Sequence, residues 1–229
     1  MESARRFFFA LPLVLLLASA SCVSQREQKL REFQKAPLFG MIYDHDQKPC
    51  PAAAVRVDGG ERAQTDINGR FTIVDLARGE HRIEVRKQGY EDLEVGVQFL
   101  NRDQILYLRV ISLRQLLEQA EAALEKKKLA ETASLLARAE KIDAGDPVGV
   151  YLQALYLLET GAVAEASELL EGLAKAGYRE AILYLSLADI YQYRLRDLAR
   201  AAASLRAYLE LQNDPDVRKR LEALGGEQP

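Results

Sequence analysis

The chain has no tryptophan, and only two histidines, two cysteines and two methionines among its 229 residues. His45 and His81 leave no third ligand for a catalytic zinc. No serine elbow motif accompanies them, so a nucleophile triad cannot be assembled either. Without tryptophan there is no indole platform of the kind that suits glycan rings. Basic clustering is missing too: the net charge is −3, with no Lys/Arg stripe. Phosphate neutralisation needs such a stripe, so nucleic acid is excluded as a partner. No glycine-rich loop precedes a helix, and Asp58-Gly59-Gly60 sits between strand-like segments as a turn. The longest apolar run, Phe7–Ala18, has 12 residues and is too short to span a bilayer as a helix. What remains, 48% hydrophobic and 28% charged, is the composition of an ordinary folded body.

The short apolar run still carries information. Arg5 and Arg6 precede it, and the small-residue segment Ser19-Ala20-Ser21-Cys22 follows, which is the layout of a secretory signal peptide over residues 1–21. The protein is therefore expected to be exported. SASC resembles a bacterial lipobox, with Ser19 where the usual leucine stands. That resemblance implies that Cys22 becomes an acylated N-terminus, anchoring the protein to a bacterial membrane at the periplasmic side or the cell surface. Ordinary cleavage after Ala20 is the alternative, and it would leave Cys22 able to pair with Cys50 in an oxidising compartment. With Cys22 acylated, Cys50 is a small packed residue in a loop at a strand edge. Residues 22–37, polar and charged, read as a tether.

From Leu38 the pattern becomes short β-type runs: 38–44, 53–57, 62–65, 70–74, 81–87, 93–99 and 105–110, separated by Gly-, Asn- and Asp-rich turns. In HRIEVRK, Ile83 and Val85 are expected to face inward while Arg82, Glu84 and Arg86 face water. Five short motifs occur in order. They are Gly40-x-Ile42-x-Asp44, Pro49-x-x-x-Ala53-x-Val55-x-Val57, Thr65-Asp66-x-x-Gly69-x-Phe71, Gly79-x-His81-x-Ile83 and Gly89-Tyr90-Glu91. Together they resemble the carboxypeptidase regulatory-like module. The resemblance implies a small antiparallel, transthyretin-like β-sandwich over residues 38–110, with an accessory role rather than an activity. Cys50 stands where that family more often has Val or Ile.

At Ser112 the chain turns to long segments rich in Ala, Leu and Glu, with apolar residues at helical spacing, as in Leu113, Leu116, Leu117, Ala120 and Leu124. Breakers predict six helices in pairs and a terminal helix, Pro215 to Leu224. Ala120, Ala154 and Ala188 recur every 34 residues. Thr132 and Ala166 keep that spacing, with Ala201 one residue later, and Leu136, Leu170 and Leu205 follow the same phase. The shift to 35 places one inserted residue in the Arg194–Asp197 turn. The period resembles the tetratricopeptide repeat and implies, over 112–229, an α-helical solenoid of about three helix pairs plus a capping helix.

Two motifs invite a metal reading. His81-Arg-Ile-Glu84 has the spacing of a zinc pair, but residues three apart in a strand point to opposite faces. Asp66-x-Asn68-Gly69 looks like part of a calcium loop. Aligned on Gly69, however, the first ligand would be Gln64 and the terminal glutamate Asp75. A turn capped by Asp66 fits better. Asp44-His45-Asp46 is likewise read as a solvated turn, and Lys126-Lys127-Lys128 as a helix end. No catalytic residue, metal ligand, cofactor or small-molecule substrate is indicated.

The repeat resemblance implies a concave face lined by the first helix of each pair. Leu117, Glu121, Tyr151, Leu155, Leu185, Asp189 and Gln192 fall on it, and their mixed Tyr, Leu and carboxylate character suits a segment of a protein partner in the cell envelope. The functional expectation is a non-enzymatic, membrane-anchored interaction or assembly scaffold. Two alternatives stay open: a β-domain that binds glycan or peptide, with Tyr43, Phe71, Tyr90, Phe99 and Tyr107 as its aromatic supply, and a non-catalytic subunit of an envelope enzyme complex.

Overall fold

A computed structural model describes residues 34–225. The signal segment, Cys22 and most of the tether lie outside the described residues. The chain divides into two compact units. Among the described residues, one comprises those up to Arg86 together with Leu93–Arg109, and the other Lys87–Asp92 together with those from Val110.

The first unit contains seven strands: β1 (Lys35–Tyr43), β2 (Ala54–Val57), β3 (Gly60–Gln64), β4 (Arg70–Ala77), β5 (Gly79–Arg86), β6 (Leu93–Phe99) and β7 (Ile105–Arg109). They form two sheets in the manner of a β-sandwich, with strand orders β4-β1-β7 and β3-β2-β5-β6. Strand alternation decides what is buried: Leu38, Ile42, Phe71 and Ile73 from one sheet, and Val55, Ile83, Val85 and Phe99 from the other, are all at most 4% exposed. Burying side chains of this size stabilises the fold by about 1.5–3 kcal/mol each. Ile83 and Val85 face inward as expected.

One expectation is corrected: the sandwich is not wholly antiparallel, because β1 and β7 pair in parallel from Phe39↔Ile105 to Tyr43↔Arg109. They are the first and last strands of the unit. The long crossover that a parallel pair requires is supplied by everything between them.

The β3–β4 turn shows why TDINGRF is built as it is. The carboxylate of Asp66 accepts from the backbone N–H groups of Asn68 and Arg70, both at 2.8 Å. Gly69 alone in the turn has positive φ, +73°, and its Cα faces the Ile42 carbonyl so closely that a Cβ would lie 2.4 Å from that oxygen. Thr65 ties the loop beneath, accepting from Ala53 N–H at 2.8 Å and donating to the Cys50 carbonyl at 2.7 Å. Cys50 itself is fully buried.

The second unit has seven helices among its described residues: α1 (Leu113–Glu125), α2 (Leu129–Ile142), α3 (Pro147–Thr160), α4 (Val163–Lys175), α5 (Ala181–Asp189), α6 (Leu198–Leu211) and α7 (Pro215–Ala223). A π-helical turn, Ile190–Arg194, continues α5. Side-chain caps set several starts: Ser112 and Gln115 form a capping box on α1, Asp146 caps α3, Asp197 caps α6 and Asp214 caps α7. The helices pack in sequence as pairs, α1 with α2, α3 with α4 and α5 with α6.

The three pairs repeat the same construction. Ala120, Ala154 and Ala188 are fully buried, as are Thr132, Ala166 and Ala201. Their small side chains let the helices approach closely. Each intra-pair turn also holds one residue in the left-handed region: Lys127 at φ +55°, Gly161 at +89° and Arg196 at +59°. The closing hydrogen bonds are Lys128 N–H to Ala123 O, Ala162 N–H to Leu157 O and Asp197 N–H to Tyr191 O. The first two span five residues and the third six, while the acceptors stay 34 apart. The inserted residue therefore lies between Tyr191 and Arg196, an interval that overlaps the expected Arg194–Asp197 turn. The π-helical turn absorbs it.

Candidate functional site

The seven residues expected on the inner helices have different surroundings. Leu117 is buried with Leu116, Ala120 and Leu152. Leu155 packs half-buried against the same cluster, Tyr151 and Leu185 against the next two. The Tyr151 hydroxyl is hydrogen bonded to Ser186 at 3.0 Å, joining α3 to α5. Glu121 is exposed. Asp189 and Gln192 are both engaged by Arg220 of α7: Nη1 lies 2.7 Å from Asp189, Nε donates to the Gln192 amide oxygen at 2.6 Å, and the guanidinium stacks over Tyr193. Glu121 and Asp189 are exposed, Tyr151, Leu155, Leu185 and Gln192 half-buried, and the stretch without a pairing to Arg220 is that on α1 and α3.

A second polar cluster surrounds the π-helical turn. The buried Tyr191 hydroxyl donates to the Glu171 carboxylate of α4. Arg200 stacks over the Tyr191 ring at 4.6 Å and lies 3.6 Å from Glu171. Burial, followed by the bond to Glu171, pushes the Tyr191 phenol up to about 12. The same bond, with Lys175 and Arg200 nearby, holds the Glu171 carboxyl below the usual carboxylate range. Every member has a partner, so the cluster works as a clamp between α4, the π turn and α6.

Two surfaces were not anticipated. One is a cleft of about 350 Å³ among α2, α3 and α4, lined by Ala133, Ala137, Glu140, Val150, Gln153 and Leu169. Its signal in the sequence, alanine on the outer side of α2, is indistinguishable from ordinary helix composition. The other is the outer face of the β4-β1-β7 sheet, where Phe39, Ile105, Tyr107 and Val74 stand 48–77% exposed. Of the five aromatics considered for ligand binding, Phe71 and Phe99 are core residues, whereas Tyr43 and Tyr107 belong to this face.

The former metal candidates have structural partners. His81 Nδ1 lies 2.7 Å from the Asp58 carboxylate and Nε2 2.8 Å from the Ala77 carbonyl. Glu84, on the opposite face of β5, neighbours Arg56 and Arg86 instead. Asp44 caps its own turn, accepting from Asp46 and Lys48 N–H at 2.9 Å each. Among the described residues no group of three His, Cys, Asp or Glu side chains is placed to hold a metal ion. No helix among them is long and apolar enough to cross a membrane.

Against known families, residues 37–111 match the carboxypeptidase regulatory-like domain. This segment is a carboxypeptidase regulatory-like domain. The match covers the sandwich with its Asp66–Gly69 turn and ends before the helices. No curated protein matches the chain. Similar solved structures include two mutants of a type II cohesin–X-dockerin complex from Acetivibrio cellulolyticus. The N-terminal interface mutant is 20% identical over 34% of this chain and 58% of its own, with a TM-score of 0.30. The C-terminal interface mutant is 20% identical over 33% and 56%, with a TM-score of 0.29. The chain thus spans less than two thirds of the length of either.

Proposed function

We propose that this is an exported, lipid-anchored bacterial envelope protein. Its helical unit is a tetratricopeptide-like array of three pairs with α7 as the cap, and it docks a protein partner. The observation that carries this reading is the repeated pair: fully buried small residues at 120, 154 and 188, and a left-handed turn residue at 127, 161 and 196. An array built this way offers a row of first-helix side chains to an extended or helical segment. Arg220 pairs with Asp189 and Gln192 at the far end of that row, so the docking surface we assign is the stretch without such a pairing, on α1 and α3, bearing Glu121, Tyr151 and Leu155.

Crosslinking and mass spectrometry from native membranes test this. Crosslinks to one partner should map to α1 and α3, and Glu121→Lys combined with Leu155→Gln should remove them while the helical content is unchanged. Crosslinks that persist in this variant, or that map only to the sandwich, would refute the docking surface.

A further inference from the structure

The two sheets of the regulatory-like domain treat water differently on their outer faces. Outside β3-β2-β5-β6 stand charged residues tied together, with Arg82 against Glu94, Arg56 against Glu84, and Gln98 donating to Glu80. Outside β4-β1-β7 the register assembles an apolar patch. Phe39 has Thr72 on one side and Ile105 on the other, Met41 has Arg70 and Tyr107, and Tyr43 has Arg109. Phe39 is 48% exposed, Ile105 51%, Tyr107 64% and Val74 77%. A soluble antiparallel sheet normally alternates apolar inside with polar outside. This sheet carries large exposed apolar side chains on its outer face as well.

The charges on the patch have one sign. Strands β1 and β7 carry no carboxylate at all, and the only one on β4, Asp75, is neutralised by Lys35 at 3.2 Å. Arg70 and Arg109 remain beside the tyrosines. Aromatic rings flanked by arginine, with no acid among them, complement the headgroup region of an anionic bilayer, where tyrosine and arginine are the favoured interfacial residues.

Size argues in the same direction. Three strands about 4.8 Å apart, five to nine residues long at about 3.3 Å each, present at most roughly 450 Å². A stable dimer needs about 800 Å² from each partner, so a second copy is not held by this patch alone. A surface already tethered nearby is different, because the tether raises its effective concentration. Twelve residues lie between Cys22 and Lys35, a reach of at most roughly 45 Å.

We infer that the outer face of the β4-β1-β7 sheet rests on the headgroups of an anionic membrane, fixing how this domain stands on its anchor. This rests on the reading of Cys22 as an acylated N-terminus.

The absence of tryptophan makes a clean test available. Full-length Tyr107→Trp, and Gln98→Trp on the outer face of the other sheet as a control, are expressed in a bacterial host and placed in vesicles of phosphatidylethanolamine and phosphatidylglycerol. The emission of the Tyr107→Trp reporter should shift to shorter wavelength and lose intensity when the lipids carry shallow brominated chains, and the Gln98→Trp reporter should do neither. Adding Arg70→Glu and Arg109→Glu should return the first reporter to its solvent-like emission. If intact mass proves acylation and the Tyr107→Trp reporter remains solvent-like and unquenched, the membrane-facing assignment is wrong and the anchor stands. A blue shift that follows protein density and ignores lipid charge also overturns it, in favour of a second copy. An unacylated mass removes the anchor reading, and the bilayer contact with it.

Discussion

Gly40 lies in the middle of β1 with the Phe71 ring laid across it, and substitution there separates ring packing from backbone conformation. A Cβ at Gly40 would fall 2.2 Å from Phe71 Cζ and 2.4 and 2.9 Å from the two Cε atoms. Gly40 is in extended backbone that alanine adopts freely, so the ring alone decides the outcome. To reach ordinary contact the ring must retreat by about 1 Å, yet Phe71 is 4% exposed and backed by a packed interior. Overpacking of this kind costs about 1–3 kcal/mol. Alanine's smaller loss of backbone freedom offsets about 0.5–1 kcal/mol of it. Gly40→Ala should therefore destabilise the sandwich by about 1–2 kcal/mol. Phe71→Ala should cost about 3–5 kcal/mol through the cavity it leaves. In the double variant the new methyl enters vacated space, so the total should fall short of the sum by about 1–2 kcal/mol. Hydrogen exchange with mass spectrometry on peptides covering β1 and β4 reads this directly, whereas far-ultraviolet dichroism would be dominated by the helices. Strictly additive costs, or a Gly40→Ala variant as stable as the parent, would refute the argument.

Other consequences can be measured on the helical unit. Lys127→Gly and Arg196→Gly should each raise stability, by up to about 1 kcal/mol, because they relieve left-handed strain, and Gly161→Ala should lower it by a similar amount; thermal denaturation distinguishes the signs. The Tyr191 phenol, raised from its ordinary 10 to about 12, contributes stability that is intact below pH 10 and lost as pH rises from about 10 to about 12. Glu171, held low, contributes stability present above the ordinary carboxylate range and lost as pH falls through its lowered value. Tyr191→Phe should flatten the alkaline limb and weaken the acid one in a melting-temperature profile against pH. Within the same unit, Arg138 grips Glu91 through two nitrogens at 2.9 and 2.6 Å. Both side chains are about a third exposed, so Arg138→Ala should cost only about 1 kcal/mol, read as faster exchange of residues 87–92.

Much of this architecture is legible residue by residue. The β6 span 93–99 is observed unchanged, and the alternation in HRIEVRK assigns Ile83 and Val85 correctly, because period-two burial writes itself into the side chains. The alanines at 120, 154 and 188 announce close helix contacts for the same reason. Features set by backbone alone leave no such mark. Lys127 and Arg196 adopt the conformation of Gly161 without resembling it, and a π-helical turn has no composition of its own. Partner choice is equally silent. The run LFGMIY reads as apolar throughout, which does not reveal that Phe39 is left on an open face, nor that β1 takes β7 as a parallel neighbour. Nothing beside Asp189 and Gln192 in the sequence reveals that Arg220 of α7, about thirty residues downstream, pairs with both.

Adding a single residue to a helix ordinarily rotates everything beyond it by about 100°, which would turn a packed face toward water. Between Tyr191 and Arg196 the surplus is stored as one widened turn, and Asp197 resumes the phase of Ala162 and Lys128. The third pair therefore carries one residue more than the first two and still buries Ala188 and Ala201 as they bury their counterparts.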